Sequence, residues 1–334
     1  LEKCRDKQMK DYDVSIIVPI YNVEKYIEKC VVTLFEQDYD NVEYVFVNDC
    51  TPDKSMKILE NTIERYPNRK NHVKIINKIK NEGLPQARKS GLKIVSGKYI
   101  LHVDSDDWVD RDMVSSLIYE AKKSDADIVC FDYIKEFSKK SVIKSFFYTK
   151  NHPKLNLEFV KAILSHEISV SMCDKLVKRE LYKNIDFPHF SHCEDSFVNL
   201  QLFYEAKKIT HIARPFYHYR TNPNSLSNSF SNNKKALEDF AEFSKAVRNF
   251  LLQRGLFDEY FKYHIPAILK FILDYSDSNF KNHINAICPE ANHIKYVFKI
   301  NRNFVYKILY GSVFLGCPQI FVFAKRIFLS LKNN

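Results

Sequence analysis

The sequence predicts an α/β fold, with a mainly parallel central sheet covered by helices and a helical C-terminal region. Two observations carry that expectation. Apolar runs of strand length alternate with segments of helical period from residue 14 to residue 132, and such alternation builds parallel sheets. Acidic residues recur directly after these runs, at the strand ends outside which open parallel sheets bind ligands. Glycine is scarce, at six of 334 residues, and none forms G-x-G or G-x-x-x-x-G-K. The glycine-rich phosphate cradles of dinucleotide-binding and P-loop proteins are therefore missing.

Residues 14–20 (VSIIVPI) are almost continuously apolar, as in a strand buried on both faces. Val23, Tyr26, Ile27, Cys30, Val31, Leu34 and Phe35 then recur at helical spacing. The unit repeats with a strand near 42–48 and a helix opening near Pro52, because proline suits a first helical turn. Further strands are expected at 73–77, 98–103 and 127–132, with helices near 84–95 and 111–123. Residues 133–149 read as an aromatic-rich hairpin or excursion. Helical patterns follow at 156–165, 175–183 and 194–206, short strands near 209–219, a Ser/Asn-rich loop at 221–233, and helices from 234 onward. This divides the chain into a catalytic module at 10–225 and a helical region at 226–334.

The eight cysteines include no C-x-x-C pair, and several lie in apolar runs. That usage fits free thiols in a reducing compartment better than disulfides or a zinc site, so a cytoplasmic address is expected. Residues 1–13 are polar, without the apolar core of a signal peptide. Of the formal net charge of +10, seven basic residues with no acid lie in 291–334, among many aromatic side chains. Such a segment suits anionic lipid headgroups and implies peripheral contact at the inner face of the plasma membrane; the alternative is a helical pair packed on the protein. The uncharged run 308–324 is short of the ~20 residues of a spanning helix. A nucleic-acid partner is not expected, since no helix-turn-helix, RNP-like or zinc-finger pattern accompanies the basic charge.

The chemistry collects at strand ends. The fourth strand runs into Asp104-Ser105-Asp106-Asp107. Clustered carboxylates raise one another's pKa, and a hard divalent cation such as Mg²⁺ or Mn²⁺ relieves the repulsion; helix capping is the alternative reading. The first strand ends in Pro19-Ile20-Tyr21-Asn22 and the second in Asn48-Asp49. Together they offer a ring to stack on a base, a carboxylate for a base imino proton and an acid cluster for a metal diphosphate. Gly83 and Arg88, in Asn81-Glu82-Gly83-Leu84-Pro85-Gln86-Ala87-Arg88, add a helix start and a cation. His192-Cys193-Glu194-Asp195 opens a further helix with two adjacent carboxylates.

In order and spacing, Val14–Asn22, Val47-Asn48-Asp49, Asn81-Glu82-Gly83 with Ala87-Arg88, and Asp104–Asp107 resemble the signatures of the inverting family 2 glycosyltransferases with the GT-A fold, of bacterial capsule or O-antigen type. The resemblance covers about residues 13–225. It implies that Tyr21 and Asp49 line a uracil pocket, that Arg88 contacts the nucleotide, and that Asp104 and Asp106 hold the ribose and metal. It also implies that Asp195 is the general base, with Glu194 orienting the acceptor. Cys50-Thr51-Pro52 stands where the family usually has Gly-Ser-Thr. Cys173-Asp174-Lys175 replaces its Trp-Asn-Lys, with Lys175 implied as a donor contact. Tyr217-His218-Tyr219-Arg220 resembles a loop closing on the diphosphate, where Arg220 neutralises charge and His218 reaches the metal or is simply a packed neighbour. His102 is expected as a satisfied core residue.

The expected function is metal-dependent transfer of one sugar from a UDP-sugar to a hydroxyl of a saccharide or lipid-linked saccharide in surface polysaccharide synthesis. Two alternatives are a sugar-nucleotide pyrophosphorylase, disfavoured because Pro19–Asn22 is not its Gly-rich basic loop, and a non-catalytic sugar-nucleotide or glycan-binding protein. Processive synthesis is not expected, since Trp108 is the only tryptophan and no Gln-x-x-Arg-Trp occurs.

Overall fold

The computed structural model describes residues 11–150, 152–221, 234–275, 280–300, 304–315 and 319. Its first elements are β1 (Val14–Ile20), α1 (Ile27–Phe35), β2 (Val42–Asn48), α2 (Ser55–Glu64), the single turn α3 (Pro67–Lys70), β3 (Val73–Asn77), α4 (Leu84–Leu92) and β4 (Tyr99–His102). β5 (Trp108–Val109), α5 (Met113–Ser124), β6 (Ile128–Glu136), β7 (Ser141–Lys144), α6 (Asn156–Leu164), β8 (Lys175–Lys178), α7 (Glu194–Glu205) and β9 (Ile209–Arg220) follow. The strands form one mixed sheet in the order β3-β2-β1-β4-β8-β6-β9-β5, with β7 paired to β6. β3, β2, β1 and β4 are mutually parallel. β8 lies antiparallel between β4 and β6, and β6 and β9 are parallel again.

Strand alternation splits the core into two layers. Val14, Ile16, Val18 and Ile20 of β1 join residues of α1, α2 and α5 on one face, while Ile17 joins Val45, Val47, Ala87 and Ile100 on the other. Gly91 lets α4 close on that second face: a Cβ there would stand 2.6 Å from Ile17 Cγ2. Pro19 sits on β1 beyond the last β4 pair, Ile17 with His102, where its missing N–H breaks no ladder bond.

At the amino-terminal edge of the sheet, β2 buries a carboxylate. Glu43 accepts hydrogen bonds from the Ser15 hydroxyl (2.5 Å), the Ser96 amide (2.8 Å) and the Ser96 hydroxyl (2.9 Å), and pairs with Lys74 at 2.5 Å. Burial alone would raise its pKa, but these partners hold it below the usual glutamate range.

Residues 175–183, expected as a helix, instead form β8 and a 3₁₀ segment, Arg179–Asn184. Asp174-Lys175-Leu176-Val177-Lys178 has helical charge spacing, but sheet partners on both sides take up its backbone. α2 begins at Ser55 rather than near Pro52, because the Asp53 carboxylate gathers the Ser55 amide (3.1 Å) and hydroxyl (2.6 Å) first.

The chain divides into two compact units, residues 1–160 with 168–222, and 161–167 with 223–334. The second contains α8 (Lys234–Gln253), α9 (Phe257–Tyr275), α10 (Phe280–Ile287) and α11 (Phe304–Phe314). Phe240 of α8 stacks on Phe271 of α9 at 3.8 Å between ring centres. Among the described residues no helix is long and apolar enough to cross a membrane. Most of the Ser/Asn-rich loop (222–233) and residues 320–334 of the basic tail lie outside the described residues.

Candidate active site

Four strand ends of the first unit supply the site. After β1, Tyr21 is 44% exposed, and the chain turns at Asn22 with φ 55°. The loop after β2 fixes that turn: Thr51 Oγ1 accepts from the Asn22 amide (2.9 Å), Ser55 Oγ from the Val23 amide (3.1 Å) and Asp53 from the Glu24 amide (2.9 Å). Cys50 takes a left-handed conformation, φ 59°, which glycine adopts without steric cost. The loop thus keeps a glycine-type bend without the glycine. Sequence reasoning missed Thr51, Asp53 and Ser55; their alternation with Cys50, Pro52 and Lys54 after a strand was the available signal.

Asp49 is buried and faces three donors. It accepts from the amides of Gly83 (2.8 Å) and Glu82 (3.1 Å) and pairs with Lys78 Nζ at 2.8 Å. Lys78 also pairs with Glu82 at 2.9 Å; both acids hold its pKa up against burial. Gly83 sits at φ 85°, so a side chain there would strain the turn that reaches Asp49.

Beyond β4 the acids crowd together. Asp107 is buried, accepts from Tyr217 Oη (2.7 Å) and the Arg220 amide (2.7 Å), and has its pKa pushed well up by burial and by the charges of Asp106 and Asp104. Burial and Asp104 push Asp106 to about 6. Ser105 is buried between them. Tyr217 also accepts from the Asp104 amide at 3.0 Å, a tie the sequence did not reveal. Arg220 donates through Nε to the Asp106 carbonyl (2.9 Å) and lies over the rings of Tyr26 and Trp108, 4.8 Å from each. His218, expected near a metal, has its ring nitrogens against other carboxylates: Nδ1 is 2.7 Å from Glu136 and Nε2 3.0 Å from Asp110. The ring stacks on Trp108 at 5.1 Å.

Arg88, expected to contact the nucleotide, is fully buried and clamps three acids instead. Its guanidinium donates to Asp104 at 2.8 Å, to Asp195 at 2.6 Å and to Glu194. Burial opposes its charge, but Asp195, Glu194 and Asp104 together raise its pKa. α7 begins at Glu194 after Cys193, which turns the chain at φ 65°. Glu194 is buried, not open to an acceptor as expected, and burial with the Asp195 charge raises its pKa. Asp195 keeps 32% of its side chain exposed. Burial would raise its pKa, yet Arg88 holds it below the usual carboxylate range. Arg88 thus lies against both acids, of which Asp195 is the more accessible.

Lys175, expected as a donor contact, is buried against Asp174 at 2.5 Å and the Ser171 carbonyl. His102 is a core residue, but neither ring nitrogen has a hydrogen-bond partner among the described residues; burial and Arg88 keep it neutral.

Asp104 and Asp106 offer hard oxygen donors directly beyond β4, the donor type that suits Mg²⁺ or Mn²⁺. Among the described residues no group of three or more His, Cys, Asp or Glu encloses an ion. An ion there would complete its shell with water and phosphate oxygens, as Mg²⁺ commonly does.

The protein is similar to the uncharacterized glycosyltransferase EpsJ of Bacillus subtilis strain 168, at 34% identity over 225 residues, 64% of this chain and 62% of EpsJ. It is 28% identical over 213 residues to the poly(ribitol-phosphate) beta-N-acetylglucosaminyltransferase TarS of Staphylococcus aureus strain Mu50, covering 62% of this chain and 35% of TarS. In three dimensions it resembles a solved TarS fragment in complex with UDP-GlcNAc, with a TM-score of 0.67 at 18% identity over 95% of this chain and 92% of that one. The mannosyltransferase PcManGT of Pyrobaculum calidifontis, solved with GDP-Man and Mn²⁺, gives 0.52 at 15% identity over 90% and 86%. Both structural likenesses establish the GT-A fold. Residues 15–185, just over half of the chain, match the family described as Glycosyl transferase family 2, and this protein is therefore a glycosyltransferase of family 2.

Proposed function

We propose that the protein transfers a single sugar, with inversion, from a UDP-sugar to a hydroxyl of a saccharide or lipid-linked saccharide in surface polysaccharide synthesis, and that residues 10–225 are the catalytic domain. The observation that carries this reading is the Arg88 clamp, which draws Asp104 of the β4 end and Asp195 of α7 onto one guanidinium. Asp195, ionised and accessible, takes the acceptor proton as the acceptor oxygen bonds to the anomeric carbon; the bond from that carbon to the diphosphate breaks and UDP leaves. Glu194 and Arg88 are positioning residues that keep Asp195 ionised and aimed. Asp104 and Asp106 would hold Mg²⁺ or Mn²⁺, which when bound supplies positive charge to the departing diphosphate. Arg220 adds a cation on the same side.

The uridine reading rests on Asp49 and Lys78. Uracil presents an N–H donor flanked by carbonyl acceptors, and a carboxylate beside an ammonium matches one donor and one acceptor of that edge. TarS, the similar protein solved with UDP-GlcNAc, supports it. The basic, aromatic segment 291–334 supports peripheral contact with the inner membrane surface, where a lipid-linked acceptor would reside.

The test is UDP release from a panel of nucleotide sugars with Mn²⁺ or Mg²⁺, with and without membrane glycolipid extract. Release from one donor, raised by extract and lost in Asp195→Asn and Asp106→Ala, supports the reading. Donor binding without release under any of these conditions would favour a binding protein.

A further inference from the structure

The β6–β7 hairpin belongs to none of the machinery above, yet it adjoins it. Residues 133–150 carry five lysines and one acid, Glu136. The Glu136 charge is engaged by His218 at 2.7 Å and by the Ser141 hydroxyl. Alternation places Tyr133 and Lys135 on one face of β6, with Phe137 just past its end. Lys135 is in register with Tyr219 and Tyr133 with Tyr217, the residue that bonds Asp107 and Asp104. Phe137 is 40% exposed, with the ammonium groups of Lys135 and Lys140 each 5.6 Å from its ring centre. Tyr133 makes an edge contact with Tyr219 (6.5 Å) and a hydrogen bond with Tyr148, which is 54% exposed.

A row of rings therefore runs from beside Tyr217 and the Asp104–Asp107 cluster out to a tip whose ring is bracketed by lysines. Rings with an apolar face and a polar edge suit the C–H faces of sugars, and lysines that form no ion pair among the described residues suit anionic substituents. We propose that Tyr148, Tyr133, Tyr219, Lys135, Phe137 and Lys140 form the acceptor track, and that the acceptor is an anionic saccharide bearing carboxylate or phosphate groups. The proposal rests on the transferase reading for its direction, from catalytic centre to tip. Continuity with the acid cluster favours a glycan over a lipid headgroup.

The experiment titrates the full chain, saturated with UDP and Mn²⁺, with fluorescein-labelled hyaluronan oligosaccharides, which carry one carboxylate per disaccharide, and with neutral maltooligosaccharides of equal length. The anionic glycan should bind about tenfold more tightly at low salt, the effect of two exposed ion pairs. Lys135→Gln/Lys140→Gln should erase that preference, and Phe137→Ala should weaken both glycans. UDP affinity should stay unchanged in all variants, which reports an intact fold. Equal binding of both glycans, or an unchanged preference in the double lysine variant, overturns the proposal. So does a dependence on these lysines seen for anionic phospholipid vesicles and not for hyaluronan. Absence of UDP binding by the wild type would sink the donor reading instead, while the glycan titration still decides the track.

Discussion

The two edges of the parallel strands bury carboxylates in opposite ways. At the amino-terminal edge Glu43 faces three hydroxyl and amide donors and one ammonium, and its pKa falls. At the carboxyl-terminal edge burial and the Asp104 charge raise the pKa of Asp106, and burial with the charges of Asp106 and Asp104 raises that of Asp107. The same residue chemistry in the same sheet has its pKa lowered by donors on one side and raised by burial and like charge on the other. The proposed Mg²⁺ or Mn²⁺ would bring its charge to this second edge.

Arg88 stands between these extremes, and breaking it should have the largest effect. Arg88→Met leaves Glu194, Asp195 and Asp104 without their shared cation. Removing one partner of a buried ion pair costs about 3–5 kcal/mol, so the variant should melt well below wild type in a thermal scan and lose activity. Asp195→Asn isolates the chemistry from that loss. Its kcat should drop by about 10²–10⁴, the usual worth of general base catalysis, with UDP affinity near wild type and a smaller loss of melting temperature than in Arg88→Met, since Asp104 and Glu194 still face the guanidinium. A drop in UDP affinity equal to the drop in rate would assign Asp195 to donor binding instead.

The acid-rich edge predicts that cations stabilise the folded state. Mn²⁺ at about 100 times its dissociation constant should add about 2.7 kcal/mol to unfolding, visible as a raised melting temperature. Asp106→Asn should lose most of that rise while Glu43→Gln keeps it. An equal rise in both variants would place the ion elsewhere.

Glu43→Gln probes the satisfied edge. It replaces a charged acceptor of Lys74, Ser15 and Ser96 by an amide and should cost about 1–3 kcal/mol, with specific activity unchanged. Because its folded pKa is depressed, Glu43 contributes stability at pH values above the unfolded glutamate value of about 4.3 and loses it as pH falls through the lower folded value. The wild-type advantage over Glu43→Gln should therefore be full near neutrality and shrink in acid denaturation series below that range.

How much of this was legible beforehand follows the same division. β1, β2 and β4 were readable because strands buried on both faces give apolar runs that depend little on distant partners. β8 was not, because its four residues become a strand only through neighbours far away in sequence, β4 and β6. The acids of the site were legible as motifs, but their partners were not. That Arg88 would turn inward to Glu194 and Asp195, 106 and 107 residues away, and that His218 would be held by Glu136 and Asp110, are tertiary facts. Sequence spacing identifies which groups reach a strand end; only packing decides which of them face each other.

The smallest effect tests the bend that joins the loops after β1 and β2. Cys50 holds a left-handed backbone, which costs a residue with a Cβ roughly 1–2 kcal/mol, and its thiol returns a single weak contact with the Ile79 carbonyl at 3.5 Å. Cys50→Gly removes that strain but adds unfolded-chain entropy, which takes back about 0.5–1 kcal/mol. The net should be a stabilisation of a few tenths of a kcal/mol, up to about 1, with UDP affinity unchanged because Thr51 and Asp53 still hold the amides of Asn22 and Glu24. Cys50→Val should go the other way, since a β-branched residue tolerates this conformation poorly, and should loosen UDP binding as the Thr51 hydroxyl shifts. If Cys50→Gly destabilises and Cys50→Val does not, the bend is held by the thiol contact with Ile79, and the loop differs from the glycine-containing turn it replaces.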